Sequence, residues 1–150
     1  MSDDSFPFRH QLVVRFSDCD PMGHANHAAY FTYFEQCRLT WWRHLGGASG
    51  PPGASAVIVH AECDYRAPAL AHDQLEVRLN LGTIGRSSVT LTYEIVNLAT
   101  GARLAEGRTV SVTLDPDTRR QIPVPEMTRK LLEHGKPLDF GENKPNLTTL

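Results

Sequence analysis

The sequence predicts an α+β domain in which a five- to six-stranded antiparallel sheet wraps one long buried helix. Three observations carry that prediction. One 19-residue stretch, residues 27–45, has helical spacing of large apolar side chains; four stretches between residues 56 and 114 alternate as strands do; and short turns separate most of those strands.

The elements follow in order. Residues 10–16 alternate Leu12, Val14 and Phe16 with Gln11, Val13 and Arg15, which reads as an opening strand. Residues 17–23 then supply the Asp, Pro and Gly of an ordered turn, and Asn26 is placed to cap the helix that follows. Within that helix Tyr30, Phe34, Cys37, Trp41 and Leu45 recur every three or four residues, and Phe31, Tyr33 and Trp42 widen the apolar surface. Gly46-Gly47 ends it, and residues 48–54 form a Gly-, Pro- and Ser-rich connection. Strands are expected over residues 56–65, 74–84, 87–98 and 103–114, joined as an antiparallel meander, with a hairpin turn at residues 99–102. Residues 125–134 suit a short closing helix. The chain divides into one domain, residues 1–135, and a loosely ordered tail, residues 136–150. A sheet of this size around a single helix leaves strand edges that a second copy would cover.

Composition narrows the function. With 15 Lys plus Arg against 17 Asp plus Glu, the formal charge of -2 gives no field to draw the chain onto nucleic acid. No stretch approaches the roughly 18 consecutive apolar residues of a membrane span. The acidic amino end lacks the features of a signal peptide, and three cysteines at irregular spacing suggest a reducing compartment, so a cytoplasmic location is expected.

The chemistry-bearing stretch is Asp18-Cys19-Asp20-Pro21-Met22-Gly23-His24-Ala25-Asn26-His27-Ala28-Ala29-Tyr30, two carboxylates and two imidazoles immediately ahead of a buried helix. Helix amino ends present unpaired NH groups and the positive end of the macrodipole, so a carbonyl placed there is polarised. A carboxylate beside it can attack the carbonyl carbon or activate water. Asp20 is therefore read as the reactive carboxylate, acting on a carbonyl whose oxygen faces the backbone around Gly23 to His27. Asp18 is read as a turn former and His24 as a packed or hydrogen-bonded loop residue. Thioesters suit so sparse a site, because a thiolate leaves with little protonation near neutral pH. Neither a cofactor nor a metal is expected, since Cys19, His24 and His27 lack a second ligand pair at matching spacing.

The run from Phe16 through Tyr30, with Tyr33-Phe34-Glu35 and Arg38 beyond it, resembles the signature of the 4-hydroxybenzoyl-CoA thioesterase family, hotdog-fold hydrolases of acyl-CoA. The resemblance implies a hotdog fold, an acyl-CoA substrate, Asp20 as nucleophile or general base, and Gly23 as the start of the backbone that polarises the thioester carbonyl. His27 stands seven positions on, which resembles an Asp-plus-His branch. Gly23-His24-x-Asn26 is typical of other relatives. Tyr30 falls within the same substrate-facing motif. The resemblance further implies a homodimer or homotetramer with its site at a subunit junction, and Arg86, Ser87 and Ser88 as contacts for the pantetheine or phosphates of CoA. Two alternatives use the same scaffold: hydrolysis of acyl-carrier-protein thioesters, and a non-catalytic module that binds acyl-CoA.

Overall fold

A computed structural model describes residues 8–46 and 50–134. The expected tail and Gly47 lie outside the described residues. The elements are β1 (Phe8–Val13), a 3-10 turn (Phe16–Asp18), α1 (Ala29–His44), β2 (Ser55–Tyr65), β3 (Gln74–Ile84), β4 (Ser88–Asn97), β5 (Arg103–Leu114) and α2 (Glu126–His134). Five strands form one antiparallel sheet around the long helix, as a hotdog fold requires.

The strand order β1-β3-β4-β5-β2 corrects the simple meander. Only β3, β4 and β5 follow one another. The eight residues between β2 and β3 are long enough to carry the chain across the sheet, so β2 pairs with β5 at one edge and β1 closes against β3 at the other. The opening strand also starts and ends earlier than expected, because its buried positions Phe8, His10 and Leu12 keep strict alternation while Phe16 is 80% exposed.

The helix presents Tyr30, Tyr33, Phe34, Cys37, Trp41 and Trp42 to the core, where they meet Leu75, Val77 and Leu79 of β3 and Val89, Leu91, Tyr93 and Ile95 of β4. The Phe34 ring stacks on Tyr93 with centroids 4.5 Å apart. Its space comes from Gly107, which pairs with Tyr93 across β4 and β5. A Cβ at position 107 would collide with the Phe34 ring and lie 2.9 Å from the Glu62 carbonyl. Burying the large core side chains is worth about 1.5–3 kcal/mol each before entropy is counted.

Ion pairs cross the sheet from β3 to the chain beyond β2. Glu76 and Glu94, both buried, meet Arg78, and Arg103 bridges Glu94 to Glu106, which pairs with Arg66. The hairpin at residues 99–102 forms as expected: the Asn97 side chain accepts from the Ala99 and Thr100 amides, and Gly101 takes a φ of 72°. Helix α2 docks on the turn between β3 and β4, where Arg129 Nη2 donates to the Gly85 carbonyl at 2.6 Å. No helix among the described residues is long and apolar enough to cross a membrane.

Candidate active site

The loop between β1 and α1 is built by its own backbone. The Asp20 amide donates to the His24 carbonyl, the Gly23 amide returns to the Asp20 carbonyl, and the Asn26 amide donates to the Asp18 carbonyl at 2.7 Å. These bonds fold residues 18–26 into a small hairpin whose tight end needs Gly23, at φ 82°. A bridge from His24 to Leu70 and a 2.7 Å bond from the Ala25 amide to the Ala69 carbonyl fasten it to the segment leading into β3.

Asn26 does not cap in the expected way. The residue flanking the first turn is Ala28, with helical angles and no side-chain cap. Asn26 stands two residues earlier: its Oδ1 accepts from the Ala28 amide at 2.9 Å and its carbonyl from the Ala29 amide at 2.8 Å. The result is an Asx turn that leads the chain into α1.

Asp20 is half-buried. Its Oδ1 accepts from the Met22 amide at 2.9 Å, while Oδ2 has no hydrogen bond among the described residues. One oxygen is thus anchored and one is open, which suits a carboxylate that attacks or deprotonates. The expectation for Gly23 is revised: its NH is taken up inside the loop. The amides of His24 and His27 make no hydrogen bond among the described residues, which leaves both as unpaired donors in the loop. Both histidines are exposed. The His27 carbonyl accepts from the Tyr65 hydroxyl at 2.7 Å, which ties the helix start to the end of β2. Tyr30 is buried edge-on against the Tyr65 ring, with centroids 4.9 Å apart. Burial, then the neighbouring Cys63, pushes the Tyr65 hydroxyl up to about 12, so it stays a donor at neutral pH.

Sequence reasoning passed over the partners of Asp18. Arg15 and Tyr33 both bond its carboxylate. Arg15 looked like a solvated strand residue and Tyr33 like part of an apolar helix face. Arg15 is a local partner, three residues before Asp18 across the 3-10 turn, whereas Tyr33, fifteen residues after it, meets Asp18 only through the fold.

Arg86, Ser87 and Ser88 lie elsewhere. Arg86 and Ser87 occupy the turn between β3 and β4 and Ser88 opens β4, whereas the Asp20 loop adjoins the opposite end of β3, where Val13 pairs with Gln74. Eleven strand residues at about 3.3 Å each separate the two ends. Within one protomer these residues therefore do not join Asp20. Arg86 is exposed and Ser87 is buried. A cavity of about 330 Å³ lies toward that far end, between α1 and strands β2 and β5, lined by Glu35, Arg38, Trp42, Ile58 and Ser111 among others. The three cysteines are free, and burial pushes the Cys63 thiol up to about 11. Among the described residues no group of His, Cys, Asp and Glu could hold a metal ion.

Known proteins are similar to this chain in sequence and in structure. The acyl-CoA thioester hydrolase YbgC of Escherichia coli O6:H1 is 30% identical over 112 residues, covering 73% of this chain and 83% of its own length. The 1,4-dihydroxy-2-naphthoyl-CoA hydrolase of Synechococcus elongatus is 27% identical over 131 residues, covering 84% and 95%. The crystal structure of a thioesterase from Thermus thermophilus, complexed with coenzyme A and Zn, is similar at a TM-score of 0.74 and 30% identity, covering 89% of this chain and 99% of that one. The family described as the thioesterase-like superfamily matches residues 14–132, a span that holds the loop, the helix and every strand after the first. With the catalytic-looking loop, the fold and the sequence all pointing the same way, the chain belongs to the thioesterase-like superfamily.

Proposed function

We propose that this protein hydrolyses an acyl-CoA thioester to the free acid and CoA, in the manner of the 4-hydroxybenzoyl-CoA thioesterase family, with Asp20 as nucleophile or general base. The observation that carries the reading is that one short loop ahead of α1 holds both a carboxylate with an unbonded oxygen, Asp20, and two unbonded amides, those of His24 and His27. The amides and the helix end stabilise negative charge as it develops on the thioester oxygen. Asp20 either attacks the carbonyl carbon, giving a mixed anhydride that water then hydrolyses to the free acid and the restored carboxylate, or takes a proton from the water that attacks; on both routes the carbon–sulfur bond breaks and CoA leaves as thiolate. His27 lies beside this point and serves the substrate or the water.

The working unit is a homodimer made by antiparallel pairing of β2 with β2 of a second copy. Three facts support it: β2 is a sheet edge, Val57, Ile58 and Val59 are exposed along it, and such an edge invites a further strand. Antiparallel pairing sets the Ser55 end of one strand beside the Tyr65 end of the other. The cavity and the Arg86-Ser87-Ser88 turn of one protomer then approach the Asp20 loop of its partner, where they receive the acyl group and the pantetheine or phosphates of CoA. Pockets of a few hundred Å³ suit small ligands.

The test is release of free thiol from short, medium, long and aromatic acyl-CoAs by wild type and Asp20→Asn. Asp20→Asn is expected to lower kcat by about 10²–10⁴-fold on every thioester that wild type accepts. Equal turnover by both would remove Asp20 from the chemistry, and no turnover by folded wild type would refute the acyl-CoA reading.

A further inference from the structure

Asp18 stands two residues before the proposed catalytic carboxylate and is held from three directions. The Arg15 amide donates to its Oδ2 at 3.0 Å, and the Arg15 guanidinium reaches Oδ1 at 2.9 Å from Nη2 and 3.2 Å from Nε. The Tyr33 hydroxyl, from the second turn of α1, donates to Oδ2 at 3.0 Å. The main-chain carbonyl of Asp18 receives the Asn26 amide. The exit of β1, the return of the loop and the body of the helix therefore meet at one residue, whose side chain is only 8% exposed. Asn26 passes the restraint on, since it accepts from both the Ala28 and Ala29 amides.

Burial alone would raise the Asp18 carboxyl, but the bonds from Arg15 and Tyr33 bring it below the ordinary carboxylate range. Burial, helped by the same contact, pushes the Tyr33 hydroxyl up and keeps it protonated. The cluster thus holds one set of protonation states over the working range of a thioesterase. The Arg15 end of this ion pair is 62% exposed, so water screens it and its contribution to stability stays modest. A misplacement of about 1 Å at reacting atoms, by contrast, costs about 10²-fold in rate. The magnitudes favour a role in placement.

We infer that Asp18, gripped by Arg15 and Tyr33, is the positioning residue of this site: it fixes the loop so that the Asp20 carboxylate and the open amides of His24 and His27 keep their mutual geometry. This rests on the hydrolase reading, in which Asp20 reacts and Asp18 touches no substrate atom.

Tyr33→Phe removes one hydroxyl and no charge, so it isolates the effect. With the best thioester of the panel, Tyr33→Phe should lower kcat about tenfold, leave KM within about twofold and leave the acid limb of the pH profile in place. The melting temperature should fall by no more than about 2–4 °C. Asp18→Ala should lower kcat further. In the Asp18→Ala background Tyr33→Phe should add less than about twofold, because the hydroxyl acts through the carboxylate. Amide hydrogen exchange at Asn26 and Ala28 should quicken about tenfold in folded Tyr33→Phe, a readout that needs no turnover. A Tyr33→Phe kcat within twofold of wild type, a loss carried by KM, additive losses in the double variant, or unchanged exchange would each overturn the inference. If wild type turns over no thioester, the hydrolase reading falls by itself and the exchange measurement alone decides the clamp.

Discussion

Strands β4 and β2 are both rich in β-forming residues, yet they lead different lives. In β4, Val89, Leu91, Tyr93 and Ile95 are all buried beneath α1, and even Glu94 and Asn97 are covered. In β2, residues 56–62 are all exposed although Val57, Ile58 and Val59 are as apolar as anything in β4. The difference lies in position. β4 has a strand on each side and the Phe34 ring of α1 stacked on its Tyr93, whereas β2 has one neighbour, β5, and lies at the edge of the sheet. Apolar composition makes a strand possible, but neighbours decide whether it is finished. The finished part of this molecule is its core, and the unfinished part includes both the β2 edge and, through Tyr65, the start of α1.

The comparison breaks most sharply at Gly107, where β5 touches both regions: Phe34 of the core lies over it and Glu62 of β2 beside it. Gly107→Val should cost about 3 kcal/mol in urea denaturation, because neither the stacked ring nor the strand backbone can give way cheaply. An unchanged midpoint would mean the stack of Phe34 on Tyr93 does not close the core.

Val59→Lys sharpens the other side. Val59 is 59% exposed and sits where the register between β2 and β5 shifts. Folding of the protomer should change by no more than about 0.5 kcal/mol. Association through β2 should weaken at least tenfold, about 1.4 kcal/mol, in sedimentation equilibrium. If the variant assembles as tightly as wild type, the edge is not the dimer contact.

The smallest effect belongs to His10, inside the finished region. It is buried on β1, neither ring nitrogen has a hydrogen-bond partner among the described residues, and burial holds its pKa below the ordinary 6.5. The unfolded chain therefore takes up a proton near pH 6.5 that the folded chain refuses. Stability should fall as the pH drops below about 6.5, with a slope of at most one proton. Urea midpoints near pH 8 and near pH 5 should converge in His10→Leu. An equal acid loss in that variant would assign the effect to other groups.

Particular elements show how much was legible beforehand. The boundaries of β3 and β5 were readable to the residue, because alternation and turn residues are local properties. The motif around Asp20 was readable for the same reason: its Asp, Pro and Gly act on their immediate neighbours. The place of β2 was not, since pairing with β5 and not with β3 depends on a crossing that no local pattern encodes. Within the backbone from Gly23 to His27, which residue's NH would stay unpaired was not legible either: loop closure uses that of Gly23 and leaves those of His24 and His27.

The amino-acid order alone settled the long helix, the strands, the Asp20 loop and the residue types it offers, all through interactions a few residues apart. Tertiary structure alone decided that Asp18 would bind Tyr33, that the Arg86 turn would lie at the far end of the sheet from Asp20, and that one apolar strand would stay uncovered. Those outcomes depend on contacts between residues distant in sequence, which form only when the sheet closes around the helix and fixes which ends and edges meet.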